Sequence, residues 1–219
     1  MKLYYFTGAQ HALSNIALKR IKISEVKNLN DPYELSAIYV RDPSLRENRD
    51  KLLESFDGTK GIICFSDNYH SPLMWGHYAS KHSGICLGFE VSDEHAMKVE
   101  YISDLLRFER KLEIKFSDAQ SLLCSKYKAW EYEMEYRVFV SLEDKQQESG
   151  LFFEKFSEQI RLDEVIIGPR CDVNIDDVRG LLKSYSDIVH VKKARLAFTK
   201  FSVVEDRSFR PSALKVEKK

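Results

Sequence analysis

Between Lys126 and Arg137 the chain reads Lys-Tyr-Lys-Ala-Trp-Glu-Tyr-Glu-Met-Glu-Tyr-Arg, with charged and large apolar side chains mostly in alternate places. A period of two marks an extended strand, because successive side chains point to opposite faces. Read that way, Glu131, Glu133, Glu135 and Arg137 share one face, and Trp130, Tyr132, Met134 and Tyr136 share the other. A strand face carrying three carboxylates and a guanidinium is stable only where water, a proton or a cationic group meets it. The bland alternative is an edge strand whose charges keep other strands away. Lys126 and Lys128 bring the opposite charge to the same place, which favours chemistry. A guanidinium lowers the proton affinity of a neighbouring carboxylate, whereas two close carboxylates raise one of theirs, so acid–base or cation-stabilising work is within reach.

The remaining pattern mixes strands and helices without strict alternation. Strands are predicted at Lys2–Phe6, Ile21–Ser24, Gly61–Ser66, Gly84–Glu90, Val99–Ile102, Glu133–Leu142 and Glu164–Gly168, with two more pieces between Val189 and Val204. Helices are predicted at Gln10–Lys19, Ser44–Phe56, Leu73–Ser80 after Pro72, and Ile175–Tyr185 with Asn174 as cap. Ser103–Tyr127 reads mostly as helix, without one clean apolar stripe, and Leu151–Ile160 fits either state. Asn28–Glu34 is a loop, since Pro32 fixes its own torsion and biases Asp31 away from the helical region. Several strands follow one another with no helix between them. The fold class is therefore α+β, a mixed and largely antiparallel sheet with flanking helices, rather than a doubly wound parallel sheet. One domain over 1–207 and a polar tail over 208–219 complete the expected layout.

Charge and motifs exclude several classes. The 34 basic and 34 acidic residues cancel, so no global field draws nucleic acid or an anionic membrane, although local patches are not excluded. The N-terminus lacks a signal-peptide core and no apolar run is long enough to span a bilayer, so a cytoplasmic protein without a membrane partner is expected. Cys64, Cys86, Cys124 and Cys171 are widely spaced and read as buried free thiols, and no metal ligand is named. Neither standard phosphate-cradling glycine motif is present, nor a serine-hydrolase elbow, nor a His-Glu-x-x-His pair.

Two further constellations could hold a ligand. Asn30 and Asp31 lie in a bend rich in amides and carboxylates that could bond a ribose or a base, or that simply caps a turn. Trp75, Tyr78 and His82 cluster around the short helix after Pro72, where rings could stack on a base and a histidine could donate a hydrogen bond. Equally, Trp75 and Tyr78 could face the core with the histidines solvated. Tyr5 reads first as a sheet aromatic, while Thr7 places a hydroxyl at the strand end.

These pieces occur in a particular order. Leu3-Tyr-Tyr-Phe-Thr7, Asn30-Asp-Pro-Tyr-Glu34, Cys64-Phe-Ser66, Met74-Trp-Gly-His-Tyr78, His82, Gly84-Ile-Cys-Leu-Gly-Phe89, the Lys126–Arg137 stretch and Val165-Ile-Ile-Gly168 together resemble the bacterial domain-of-unknown-function 2971 family. Its layout is similar to that of ADP-ribosyltransferase-like proteins. That similarity implies an ADP-ribosyltransferase-like sheet and NAD as ligand. It implies Tyr5 as the first-strand residue gripping the ribose, Trp75 or Tyr78 as the ring stacking nicotinamide, and Glu133 or Glu135 as the late-strand glutamate. The functional expectation is an NAD-dependent transferase or glycohydrolase-like effector, of toxin or phage-defence type, acting on an unspecified acceptor. Its catalytic residues are expected to be Glu133, Glu135 and Arg137, and its cofactor contacts Tyr5, Thr7, Asn30, Asp31, Trp75, Tyr78 and His82. Two rivals stay open. One is a non-enzymatic nucleotide sensor or interaction domain using the aromatic cleft, and the other is a nuclease holding a divalent metal with Glu133, Glu135, Asp31 and Glu34.

Overall fold

A computed structural model describes residues 1–31, 33, 37–39, 41, 43–56, 58–107, 122–208 and 212–213. The architecture is α+β, as expected: a large, curled, mixed and mostly antiparallel sheet with a few helices. Its strands are β1 (Lys2–Thr7), β2 (Arg20–Glu25), β3 (Lys60–Ser66), β4 (Ile85–Val91), β5 (Ala96–Lys98), β8 (Glu135–Ser141), β9 (Phe152–Lys155), β10 (Ile160–Ile167), β11 (His190–Leu196), β12 (Val203–Glu205) and β13 (Ser212–Ala213). The main path runs β12-β11-β10-β4-β1-β3-β2-β9, with β8 on β3, β5 on β8 and β13 on β11. A separate parallel pair joins β6 (Glu100–Ile102) to β7 (Ser125–Tyr127).

Alternate residues of the central strands feed clusters on the two faces. Leu3, Ile85, Leu87, Phe89, Val165 and Ile167 pack with Ala12 and Ile16 of helix α1 (Ala9–Ala17) and with Val178 and Leu182 of the helix Ile175–Leu182. Phe6, Cys86, Ile166 and Ala194 point the other way and pack with Met74 and Trp75 of the short helix Pro72–Tyr78. Local signals set the helix ends as the sequence predicts. Ser71 caps the short helix with Pro72 at its first turn, and the Asn174 side chain accepts from the Asp176 amide at 2.9 Å.

Glycine is required where the Pro72–Tyr78 helix hands over to β4. A methyl group at Gly84 would lie 2.2 Å from the Thr7 carbonyl oxygen and 2.8 Å from the Ala79 backbone. Backbone cannot retreat as a side chain can. Gly84→Ala is expected to destabilise the fold by about 1–3 kcal/mol, the range for overpacking, and a urea midpoint equal to that of the parent chain would refute it.

One expectation meets the described residues only at its ends, and another needs correction. Residues 103–107 are bends and a bridge, with Leu106 paired to Ile38, and 125–127 form a strand, so the described parts of Ser103–Tyr127 hold helix only at Leu122–Leu123. The rest of that stretch, with most of the 208–219 tail, lies outside the described residues. The Lys126–Arg137 stretch is likewise not one strand. Lys128–Glu133 forms a 3-10 helix, and Met134 follows in the left-handed region at φ 46°, before β8 begins. The tight turn is held by the Met134 amide on the Glu131 carbonyl and the Ser66 hydroxyl on the Glu133 carbonyl, at 3.1 and 2.7 Å.

Candidate ligand cleft

The sheet opens between β1 and β3. These strands are registered at a single pair, Tyr4 with Ser66, whereas β1 is zipped to β4 from Lys2 to Thr7 and β3 to β8 from Lys60 to Ser66. On the same edge, β3 meets β2 at Gly61 and Ile62. Where the edge passes from β2 to β1, a cleft of about 200 Å³ is lined by Tyr4, Tyr5, Phe6, Ser24, Asn28, Leu29, Asn30, Cys64, Phe65, Ser66, Met74, Tyr78, Lys126, Glu133 and Glu135. It is thus walled by rings and floored by charge. A larger hollow of about 320 Å³ beside Tyr33 and Tyr127 carries one carboxylate, Asp104, and none of the predicted site residues.

The charged floor is a buried network. In an antiparallel pair directly opposite residues share a face, so Cys64 and Ser66 of β3 set the direction of Arg137 and Glu135 on β8. Arg137 is fully buried and grips Glu135 with two nitrogens, at 2.8 and 3.0 Å, while a third donates to the Leu123 carbonyl at 2.6 Å. Lys126 arrives on β7, which pairs with β6, and its ammonium reaches both Glu133 at 2.5 Å and Glu135 at 2.9 Å. It also stands 5.3 Å from the centre of the Trp130 ring. The second Glu133 oxygen accepts from the Tyr78 hydroxyl, which in turn accepts from the Asn30 amide. A hydrogen-bonded chain therefore runs from Asn30 at the surface through Tyr78, Glu133, Lys126 and Glu135 to buried Arg137.

Electrostatics separates the two glutamates. Burial alone would raise the Glu135 carboxyl, but the Arg137 charge and hydrogen bonds, reinforced by Lys126, hold it down at about 2. It stays an anion at any physiological pH. Burial, the Glu133 charge and the bond to Glu133 push the Tyr78 phenol well above its ordinary range, so Tyr78 acts as a hydrogen donor to that carboxylate. Burial similarly raises Tyr5.

The predicted residues divide accordingly. The cleft brings together Tyr5, Asn30, Tyr78, Glu133 and Glu135. Arg137 lies beneath it and touches Glu135 rather than the opening. Trp75 is fully buried, its ring edge-on to Phe6 at 5.3 Å and its indole nitrogen donating to the Tyr69 carbonyl at 2.6 Å, so of the two candidate rings Tyr78 lines the cleft. Thr7 pairs with Ile85 at the end of β1, outside the lining. His82 sits in a run of left-handed residues, Ser80, Lys81 and His82, that swings it toward β10, where its carbonyl accepts from the Arg170 amide. Its Nδ1 is buried without a hydrogen-bond partner, and burial followed by the Arg170 charge lowers its pKa. Asp31 is buried and holds the Tyr33 amide at 2.9 Å, apart from the cleft. Glu34 of the nuclease reading is outside the described residues, and among those described no cluster of three His, Cys, Asp or Glu side chains is spaced to hold a metal.

Lys126 was not among the predicted site residues, although its charge beside the glutamates was the available signal. Its burial comes from the β6–β7 pair. No curated protein and no solved structure matches the chain. Residues 74–138, running from the Tyr78 helix through Lys126, Glu133, Glu135 and Arg137, match the model of the family described as Protein of unknown function (DUF2971), so over this stretch the chain is similar to that family.

Proposed function

We propose that the cleft binds a pyridine dinucleotide of the NAD class and breaks the bond between its nicotinamide and ribose, with Glu133 facing the charge that develops. The observation that carries this reading is the convergence of Glu133 with the Tyr5 and Tyr78 rings in one opening. Cleavage of that bond sends its electron pair to nicotinamide and leaves an oxocarbenium-like ribose, which water or an acceptor nucleophile then captures with loss of a proton. A carboxylate beside the ribose interacts more strongly with that cation than with the ground state, which is how it would accelerate the step. Glu133 suits the task better than Glu135, whose two oxygens are taken by Arg137 and Lys126. One Glu133 oxygen meets only a phenol and, distantly along the chain, an exposed amide, partners that a ribose hydroxyl can replace. The cleft is smaller than the roughly 300–1,000 Å³ of ligand pockets in general, so it suits the nicotinamide riboside half while the remainder lies along the mouth. Consumption of NAD or modification of an acceptor would make the protein an effector of the toxin or phage-defence kind.

A second reading has its own support. Glu133 is already met by Tyr78 and Lys126, an arrangement suited to recognising a nucleotide without turning it over. Incubation of the purified chain with NAD, following nicotinamide release, separates the two. Glu133→Gln is expected to slow release by roughly a hundredfold or more, the scale for removing one transition-state electrostatic partner. Stabilisation by NAD without release supports the sensor. Neither release nor stabilisation would sink both.

A further inference from the structure

At the β12 edge of the sheet the hairpin between β11 and β12 carries two phenylalanines with almost nothing over them. Phe198 is 89% exposed and Phe201 is fully exposed, and Leu196 at the base is half exposed. Single exposed apolar residues are ordinary, but a pair on the tip of one fixed turn is not. The turn is held firmly. Ala197 donates to the Ser202 carbonyl at 2.9 Å, Val203 donates to the His70 carbonyl at 2.9 Å, and the Val203 carbonyl meets His70 Nδ1 at 2.8 Å. The rings are therefore presented by a braced frame.

The surroundings of the tip select what it meets. Lys200 lies between the rings and the Arg195 guanidinium stands 4.4 Å over Phe198; the nearest carboxylates in the chain, Glu205 and Asp206, stand back at the base of the hairpin, where Asp206 faces Arg195 and Lys193, so the tip itself carries only cations. A second copy adding its strand to β12 is opposed by His70, which already occupies the Val203 amide and carbonyl on that edge. A flat protein partner gains too little. Two phenylalanines offer roughly 300–500 Å² at about 150–250 Å² each, short of the roughly 800 Å² per side of a stable interface. A bilayer accepts a narrow tip, and anionic headgroups complement the cations around it. We infer that Phe198 and Phe201 dip into the headgroup–acyl boundary of an anionic lipid surface while Lys200 and Arg195 stay among the headgroups. Among the described residues no helix is long and apolar enough to cross a membrane, so the contact is with the surface. With two rings and two cations it is weak and reversible.

Sedimentation of the full chain with vesicles of phosphatidylcholine mixed with phosphatidylglycerol, beside vesicles of phosphatidylcholine alone, tests the inference. Uptake by the mixed vesicles should exceed that by the neutral ones and weaken as salt rises. The exposed double variant Phe198→Ser, Phe201→Ser should keep the parent melting temperature and lose roughly tenfold or more of its vesicle affinity. A parent chain that stays in solution with both vesicles, or a double variant taken up as well as the parent, overturns the inference. So does self-association that the double variant abolishes in the absence of vesicle uptake, which would assign the tip to a second copy.

Discussion

Arg137→Met is expected to lower the free energy of unfolding by about 3–5 kcal/mol, the scale for removing one partner of a buried ion pair. The side chain is fully buried, and its nitrogens satisfy Glu135 and the Leu123 carbonyl. Methionine fills much of the same space but donates nothing. Glu135 would then be left with Lys126 alone among its charged partners, and the Leu123 carbonyl would lose its guanidinium donor. Glu135→Leu in the same chain removes the anion that needs compensation, so the double variant should recover part of the loss, because an intact apolar replacement is often tolerated where a broken pair is not. Urea unfolding of both variants measures this. A single variant within about 1 kcal/mol of the parent would mean that Arg137 is replaceable by solvent.

Acid is expected to remove a comparable amount of stability in a defined window. The Glu135 carboxyl titrates at about 2 in the fold, against an ordinary value of 4.5. A depressed folded value means that the unfolded chain binds the proton first. The contribution is therefore fully present above about pH 4.5, falls as the pH drops, and is gone below about pH 2. At about 1.4 kcal/mol per unit it amounts to roughly 3 kcal/mol. Glu135 is nearly fully buried, so salt screens this term little. Unfolding free energies measured from pH 6 down to pH 2 should fall more steeply for the parent than for Glu135→Gln. Parallel curves would show that other carboxylates carry the acid sensitivity.

Much of the frame was legible because period and punctuation agree in it. β1, β3 and β4 are short apolar runs bounded by polar or glycine residues, and the helices follow cap residues or proline. The mixed, mostly antiparallel sheet follows from strands in succession without helices between them. The charged stretch does bring its glutamates to one cleft, but not as a single strand. Glu135 and Arg137 do share a strand face, but Glu133 reaches the same lysine through a 3-10 turn and a left-handed Met134. Nothing local announces a methionine in that conformation, where glycine or asparagine is usual. Lys126 could not be placed inside by composition, since lysine is almost never buried unless paired, and its partners come from elsewhere in the turn and sheet. Spacing alone could not choose between Trp75 and Tyr78 either, because the choice depends on which ring Phe6 meets. β5 and β7 are too short to show a period.

The single rung between Tyr4 and Ser66 has a further consequence. Each wall of the opening is anchored by its outer neighbour, β1 by β4 and β3 by β8, so the hollow is an outcome of main-chain routing and not of the side chains that line it. Exchanging a lining ring or amide such as Asn30 alters what is recognised while leaving the ladders that support it in place. Such a chassis tolerates a change in the lining with little penalty to folding.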